Sequence, residues 1–167
     1  MRWRNSGFTL IELVIVIVIL GILAAFALPR FAALRSNSNV AALEAMGGTM
    51  KAAANIVHAK ALVKGVQGQK ETTIEIDGTE VSIWYGCPSA YKDKGISQVV
   101  MGGSENDWAW SNTLAPRRFW LTTAKLAKVS GRQVNNLPVM NTGCYLIYDR
   151  ASATGDPPKI SYVTTDC

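Results

Sequence analysis

The sequence is poor in the residue types on which most catalytic and metal sites depend. It has one histidine, His58, and three cysteines, and it contains no GxSxG, HExxH, CxxC or P-loop motif. Because no second histidine and no nearby cysteine accompany His58 in the sequence, we expect it to be solvated or hydrogen-bonded rather than to bind a metal. We therefore expect neither an enzyme nor a cofactor. An enzyme carried on an uncut membrane anchor is the alternative from another class.

The charge balance is only mildly positive. Seventeen Lys and Arg face 12 Asp and Glu, which gives a formal net charge of +5. Two of the basic residues, Arg2 and Arg4, lie within the first seven positions. No basic run is interleaved with aromatic residues, so we expect no nucleic acid partner.

One long stretch is almost free of charge. From Phe8 to Leu28 the sequence reads FTLIELVIVIVILGILAAFAL, 21 residues with Glu12 as the only charged side chain. At about 1.5 Å per residue, such a helix is long enough to span a bilayer. Pro29 and Arg30 end the run.

A secretory signal peptide and a plain membrane anchor are the two simplest interpretations of this stretch. The run is longer than an ordinary signal-peptide core and no small-x-small cleavage pattern follows it, which disfavours the first. A plain anchor leaves Glu12 unexplained, because a carboxylate in a membrane core costs about 2.5–3.5 kcal/mol and needs a partner. A cut after Gly7 would place the new amine of Phe8 four residues from Glu12. In a bundle of identical, staggered helices, that amine would pair with the Glu12 carboxylate of the next subunit.

The residues around this cut, GFTLIE, resemble the processing site of type IV prepilins and of the related pseudopilins. The resemblance implies that a prepilin peptidase cleaves between Gly7 and Phe8, that the Phe8 amine is methylated, and that the chain assembles into a helical fibre. Pro29 becomes the twenty-second mature residue, where this family commonly has a proline that kinks the helix. Thr9 and Leu10 lie within the motif, and we assign them no separate chemistry.

A second resemblance covers residues 31–67. They are similar to the major pilins of the mannose-sensitive haemagglutinin (MSHA) type, which implies a surface pilus for attachment, adhesion and biofilm formation. The implied partners are copies of the chain itself, the prepilin peptidase, the pilus assembly platform of the inner membrane, and a surface glycan receptor. The implied location is the inner membrane for the prepilin, and the extracellular pilus (fimbrium) afterwards. A pseudopilin of type II secretion and a minor or priming pilin are the alternatives.

The three cysteines suggest one disulfide bond. Positive charge before the apolar run keeps the leader cytoplasmic and sends the rest of the chain to an oxidising compartment. We favour Cys144 with Cys167, because this bond would fix the C-terminal segment to the domain and contribute about 3 kcal/mol on the chain-entropy model. A bond from Cys87 to either of the others is the alternative. The resemblance to pilins also implies a disulfide-bounded C-terminal region.

The predicted fold class is α+β. A long N-terminal helix, kinked near Pro29, packs on a C-terminal antiparallel sheet of three to five strands, as the pilin resemblance implies. Apolar residues at spacings of three and four between Leu43 and Ala61 predict an amphipathic helix. The expected parts are a leader (1–7), a membrane and filament-core helix (8–30), an amphipathic helix (31–62) and a globular head (63–167).

Local patterns predict several elements of the head. Asp77-Gly78 between two alternating runs indicates a β-hairpin. Residues 96–101 predict a short helix, residues 118–122 a strand or a buried loop, and residues 143–150 and 159–165 two further strands. Turns are expected at residues 102–103 and 115–116.

Two features suggest ligands, and we favour a plainer interpretation of each. Asp149, Asp156 and Asp166 are candidate calcium ligands, because pseudopilins bind calcium where pilins have the disulfide. Their wide spacing and the absence of an EF-hand pattern disfavour a site. Trp108 and Trp110 resemble a glycan-binding aromatic patch, but two tryptophans in a loop are more often a local hydrophobic anchor.

Overall fold

The structure is a computed structural model that describes residues 9–90, 94–101, 106–113 and 117–167. The leader, Gly7 and Phe8 lie outside the described residues, as do the turns expected at residues 102–103 and 115–116. The chain divides after Asn37 into two compact units.

The first unit consists of the beginning of helix α1, which runs from Leu10 to Val63. This helix is long and apolar enough in its N-terminal part to cross a membrane, and the large apolar side chains there are exposed. Pro29 lies inside the helix. A proline in a helix interior removes one hydrogen bond and clashes with the preceding turn. The bend predicted there stays a prediction.

The second unit, residues 38–167, begins with the amphipathic part of α1. One stripe of this helix is buried, at the spacings of three and four that the sequence predicts. Its buried residues are Leu43, Gly47, Met50, Ala53, Ala54, Val57 and Ala61.

A small three-stranded antiparallel sheet follows the helix. Strand β1 (Thr72–Ile76) pairs with β2 (Thr79–Trp84), which pairs with β3 (Cys87–Pro88). Asp77 and Gly78 connect β1 and β2 with φ angles of 49° and 78°. Positive φ at both positions is typical of the tight hairpin turn that Asp-Gly favours, so the predicted hairpin is confirmed.

A five-stranded sheet in the order β6-β4-β5-β7-β8 forms the rest of the head. Its neighbours pair antiparallel except β4 and β6, which are parallel. The strands are β4 (Trp108–Asn112), β5 (Arg118–Thr123), β6 (Gly131–Arg132), β7 (Cys144–Asp149) and β8 (Lys159–Thr164). In the described part of the head, three short helices lie between strands: α2 (Ile96–Met101), α3 (Ala124–Ala127) and α4 (Leu137–Met140).

The main core lies between α1 and one face of the five-stranded sheet. Leu43 and Met50 of the helix pack there with Phe119 and Leu146, and all four are fully or almost fully buried. The close contact between α1 and β8 depends on Gly47. A Cβ at this position would lie 2.0 Å from Oη of Tyr162 on β8. The glycine that weakens the helix by its propensity thus makes room for the sheet.

The tryptophan pair was wrongly predicted to lie in a loop. Trp108 and Trp110 lie in β4, the strand between β5 and β6. Ala109, Trp110 and Ser111 are all buried, so both faces of this strand are covered. A strand covered on both faces shows no alternation of polar and apolar residues, which removes the pattern that identifies strands in a sequence.

Candidate functional site

The first site is the beginning of helix α1, where Thr9 and Glu12 bond to each other. The backbone N–H of Glu12 donates to Oγ1 of Thr9 (3.3 Å), and the backbone N–H of Thr9 donates to Oε2 of Glu12 (2.9 Å). The Thr9 hydroxyl also donates to Oε2 (2.7 Å). This reciprocal arrangement is a capping box, in which two side chains satisfy backbone N–H groups at the start of a helix.

The capping box gives Thr9 a role that we did not assign from the sequence. The signal was present, since Thr followed three positions later by Glu before an apolar run is the sequence pattern of such a cap. The capping box also holds the Glu12 carboxylate at the start of the helix. Gly7 and Phe8 lie outside the described residues, so the pairing of the Phe8 amine with Glu12 stays a prediction.

The apolar surface after this cap is the second feature of the site. Between Leu10 and Leu34, the large apolar side chains on every side of α1 are exposed, among them Leu10 (79%), Phe26 (73%) and Leu34 (61%). Exposed apolar surface costs about 25 cal/mol per Å² relative to burial. This segment therefore requires lipid, or other copies of itself, as its surroundings.

The disulfide bond joins Cys144 and Cys167, the pairing favoured from the sequence. Cys87 is the free cysteine and is buried. The bond encloses the hairpin of β7 and β8 and holds Cys167 at the side of the helix. There, Nδ2 of Asn39 donates a hydrogen bond to the main-chain oxygen of Cys167 (2.8 Å). No local sequence pattern identifies Asn39, because its partner lies 128 positions away.

The three candidate calcium ligands lie at separate places. Asp149 pairs with Arg118, with Oδ1 2.5 Å from Nε. Asp156 accepts a hydrogen bond from Ser152 (2.7 Å), and Asp166 follows β8. Within the described ranges, no three His, Cys, Asp or Glu side chains are grouped closely enough to hold a metal ion.

Cys87 and His58 lie side by side at the end of a small pocket. Nδ1 of His58 is 3.8 Å from Sγ of Cys87. The pocket has a volume of about 180 Å³ and is also lined by Asn55 and Asp156. Burial raises the pKa of the Cys87 thiol, which therefore stays protonated at neutral pH. This is a buried thiol, as the sequence suggested.

The tryptophan pair does not form an exposed aromatic platform. Trp110 is buried within the main core and Trp108 packs half-buried beside that core. A sugar stacks on an accessible aromatic face, and Trp110 has none. The interpretation as a hydrophobic anchor agrees with these positions.

Comparisons with known proteins point to one family. A family model described as the prokaryotic N-terminal methylation motif matches residues 4–28. The type IV narrow pilus major component PilA5 of Thermus thermophilus is 48% identical over 63 residues, which are 38% of this chain and 53% of that protein. The type IV major pilin protein PilA of Myxococcus xanthus is 60% identical over 35 residues, 21% of this chain and 16% of that protein.

The match with the broadest coverage of these three is the fimbrial protein of Dichelobacter nodosus. It is 37% identical over 128 residues, which cover 61% of this chain and 79% of that protein. No solved structure matches this chain. With this relative, the methylation motif and the helix-on-sheet head together, the chain belongs to the type IV pilin family.

Proposed function

We propose that this chain is the structural subunit of a type IV pilus. Residues 8–30 hold the prepilin in the inner membrane, with the leader 1–7 on the cytoplasmic side. A prepilin peptidase cuts between Gly7 and Phe8, the new amine is methylated, and the assembly platform adds the subunit to a helical homopolymer. The observation that carries this proposal is the uncovered apolar segment of α1 with one capped carboxylate at its start.

The capping box fits the assembly step. A carboxylate accepts about four hydrogen bonds, and the two from Thr9 both end on Oε2 of Glu12. The remaining acceptor positions of the carboxylate can therefore bind the Phe8 amine of a neighbouring subunit. Thr9 meanwhile holds the carboxylate in one orientation. The pair would neutralise both charges within the apolar core of the fibre, where an unpaired carboxylate is costly.

The second part of the proposal is that the fibre serves attachment. The similarity of residues 31–67 to MSHA-type major pilins supports a surface pilus that takes part in adhesion and biofilm formation, with a surface glycan as its receptor. A pseudopilin or a minor pilin remains the alternative. The Cys144–Cys167 bond favours a pilin, because pseudopilins of this type bind calcium in its place.

The proposed cut between Gly7 and Phe8 can be tested directly. The full chain is expressed in cell membranes with and without a prepilin peptidase, and its mass is measured. We expect a loss of residues 1–7 in the wild type and an uncut chain in Gly7→Leu. Ser6→Ala, one position earlier, is the matched control and should be cut. A Gly7→Leu chain that is processed like the control would contradict the proposed site.

A further inference from the structure

Three positive side chains surround the indole ring of Trp84 at the end of β2. The Arg150 guanidinium carbon lies 3.4 Å from the ring centroid, that of Arg117 lies 4.7 Å away, and Nζ of Lys70 lies 5.6 Å away. Trp84 itself is buried. The three cations therefore concentrate positive charge around this ring.

The register of the sheet explains why the two arginines meet. Arg118 of β5 stands opposite Asp149 of β7, and these two form an ion pair. Continued one position beyond the ends of both strands, the same register would bring Arg117 opposite Arg150. Alternation along a strand puts this second pair on the other face, the face of Phe119 and the main core.

Like charges in directly opposite positions of a sheet destabilise it. Burial lowers the pKa of Arg150, and the nearby positive charge of Arg117 lowers it further. Glu71 offsets part of the charge, with its carboxylate 3.6 Å from Nη1 of Arg117. The Glu71 carboxylate thus offsets one of the three positive charges around the ring.

Arg150 also has a donor that its surroundings do not use. Its Nη1 atom is buried, and nothing in the described part of the chain accepts a hydrogen bond from it. A buried donor without an acceptor is costly, and an oxyanion would satisfy it while separating the two guanidinium charges. Arginine forks match the geometry of phosphate and carboxylate oxygens particularly well.

We propose that Lys70, Arg117 and Arg150, arranged over Trp84, form a binding site for one oxyanion of the phosphate or sulfate class. The site lies on the head, and the proposal is independent of the pilus assignment. Removing either arginine removes a fork of donors, whereas removing Lys70 removes only an exposed point charge. The arginines should therefore dominate the affinity.

Titration of the full chain in a neutral detergent with inorganic phosphate, at constant ionic strength, tests this site by calorimetry. We expect saturable binding in the wild type and affinity about tenfold weaker in Arg150→Gln and in Arg117→Gln. Lys125→Gln on α3 changes the net charge equally, and its affinity should stay within about twofold of the wild type. Two separate arginine variants keep the test valid if one of them fails to fold.

Two results would overturn the proposal. One is the absence of saturable phosphate binding in the wild type, and the other is equal weakening in the arginine variants and in Lys125→Gln, which would mean attraction by net charge alone. Methyl phosphate distinguishes a free ion from a phosphate group on a larger molecule. Binding of inorganic phosphate alone supports a site for the free ion, and equal binding of both supports a site that accepts a substituted phosphate.

Discussion

The two units of this molecule use apolar residues in opposite ways. In residues 9–37 the apolar side chains point outwards on all sides of one helix. Thr9 and Glu12 form a hydrogen-bonded cap at its beginning. In residues 38–167 many of the apolar side chains are enclosed between α1 and two sheets. The head forms its own apolar core, whereas the N-terminal helix stays uncovered. The apolar surface of this helix is therefore available for contacts with other molecules.

The largest expected effect concerns the uncovered helix. Glu12→Gln keeps an acceptor oxygen but removes the charge, so the Phe8 amine of the next subunit would be left unpaired in an apolar core. An unpaired buried charge costs about 3–5 kcal/mol, so pili should fall at least about tenfold. Immunoblots of sheared and cell-bound subunit measure this ratio. Thr9→Ala removes the cap but keeps the Glu12 charge, so this variant should assemble far better than Glu12→Gln. Equal defects in the two variants would mean that loss of the cap, and not loss of the charge, causes the defect.

The head should respond strongly to loss of its disulfide. Replacing Cys144 and Cys167 together by serine should lower its free energy of unfolding by about 2–5 kcal/mol. Denaturant titration of the full chain in detergent, followed by tryptophan fluorescence, measures this change. Reductant should shift the wild type by a similar amount and leave the double variant unchanged. A wild type that is insensitive to complete reduction would show that the bond does not stabilise the head.

Two adjacent glycines offer a matched pair with opposite expected signs. A Cβ at Gly47 would overlap Tyr162, whereas a Cβ at Gly48 meets nothing within 4 Å. Gly47→Ala should therefore destabilise the head by about 1–3 kcal/mol. Gly48→Ala should stabilise it by about 0.5–1 kcal/mol through helix propensity. The same denaturant titration separates them, and equal signs would mean that the Tyr162 side chain moves aside for the added methyl group.

The smallest expected effect is a pH dependence in the head. Burial raises the pKa of Cys87, so the folded state holds a proton that the unfolded state releases above its ordinary pKa of about 8.5. The stability that this difference contributes is present below that pH and is lost as the pH rises through the folded pKa. The wild type should lose stability relative to Cys87→Ala as the pH rises above about 8.5. Parallel curves would mean that the thiol is not shielded.

Sequence reasoning succeeded where a structure depends on neighbours along the chain. The Asp77-Gly78 turn, the buried stripe of α1 and the helix at residues 96–101 all follow from local patterns. The Thr9–Glu12 cap is equally local and could have been read from the same letters. Each of these features is set by residues within a few positions of one another.

Features that depend on distant segments could not be read in this way. The strand containing Trp110 lost its alternation because both of its faces are covered. Gly47 is explained only by Tyr162, and Asn39 only by Cys167. The juxtaposition of Arg117 with Arg150 likewise arises from the register between β5 and β7. A single sequence carries no local signal for such register.

Mass spectrometry of protein sheared from the outside of cells tests the central claim most directly. If the uncovered helix is the core of a pilus, the sheared fibres should contain an abundant subunit that begins at methylated Phe8 and has Cys144 bonded to Cys167. The same processed chain confined to the cell envelope would instead favour a pseudopilin or a minor pilin. A chain that still begins at Met1 would contradict the account and point to a protein held on a permanent membrane anchor.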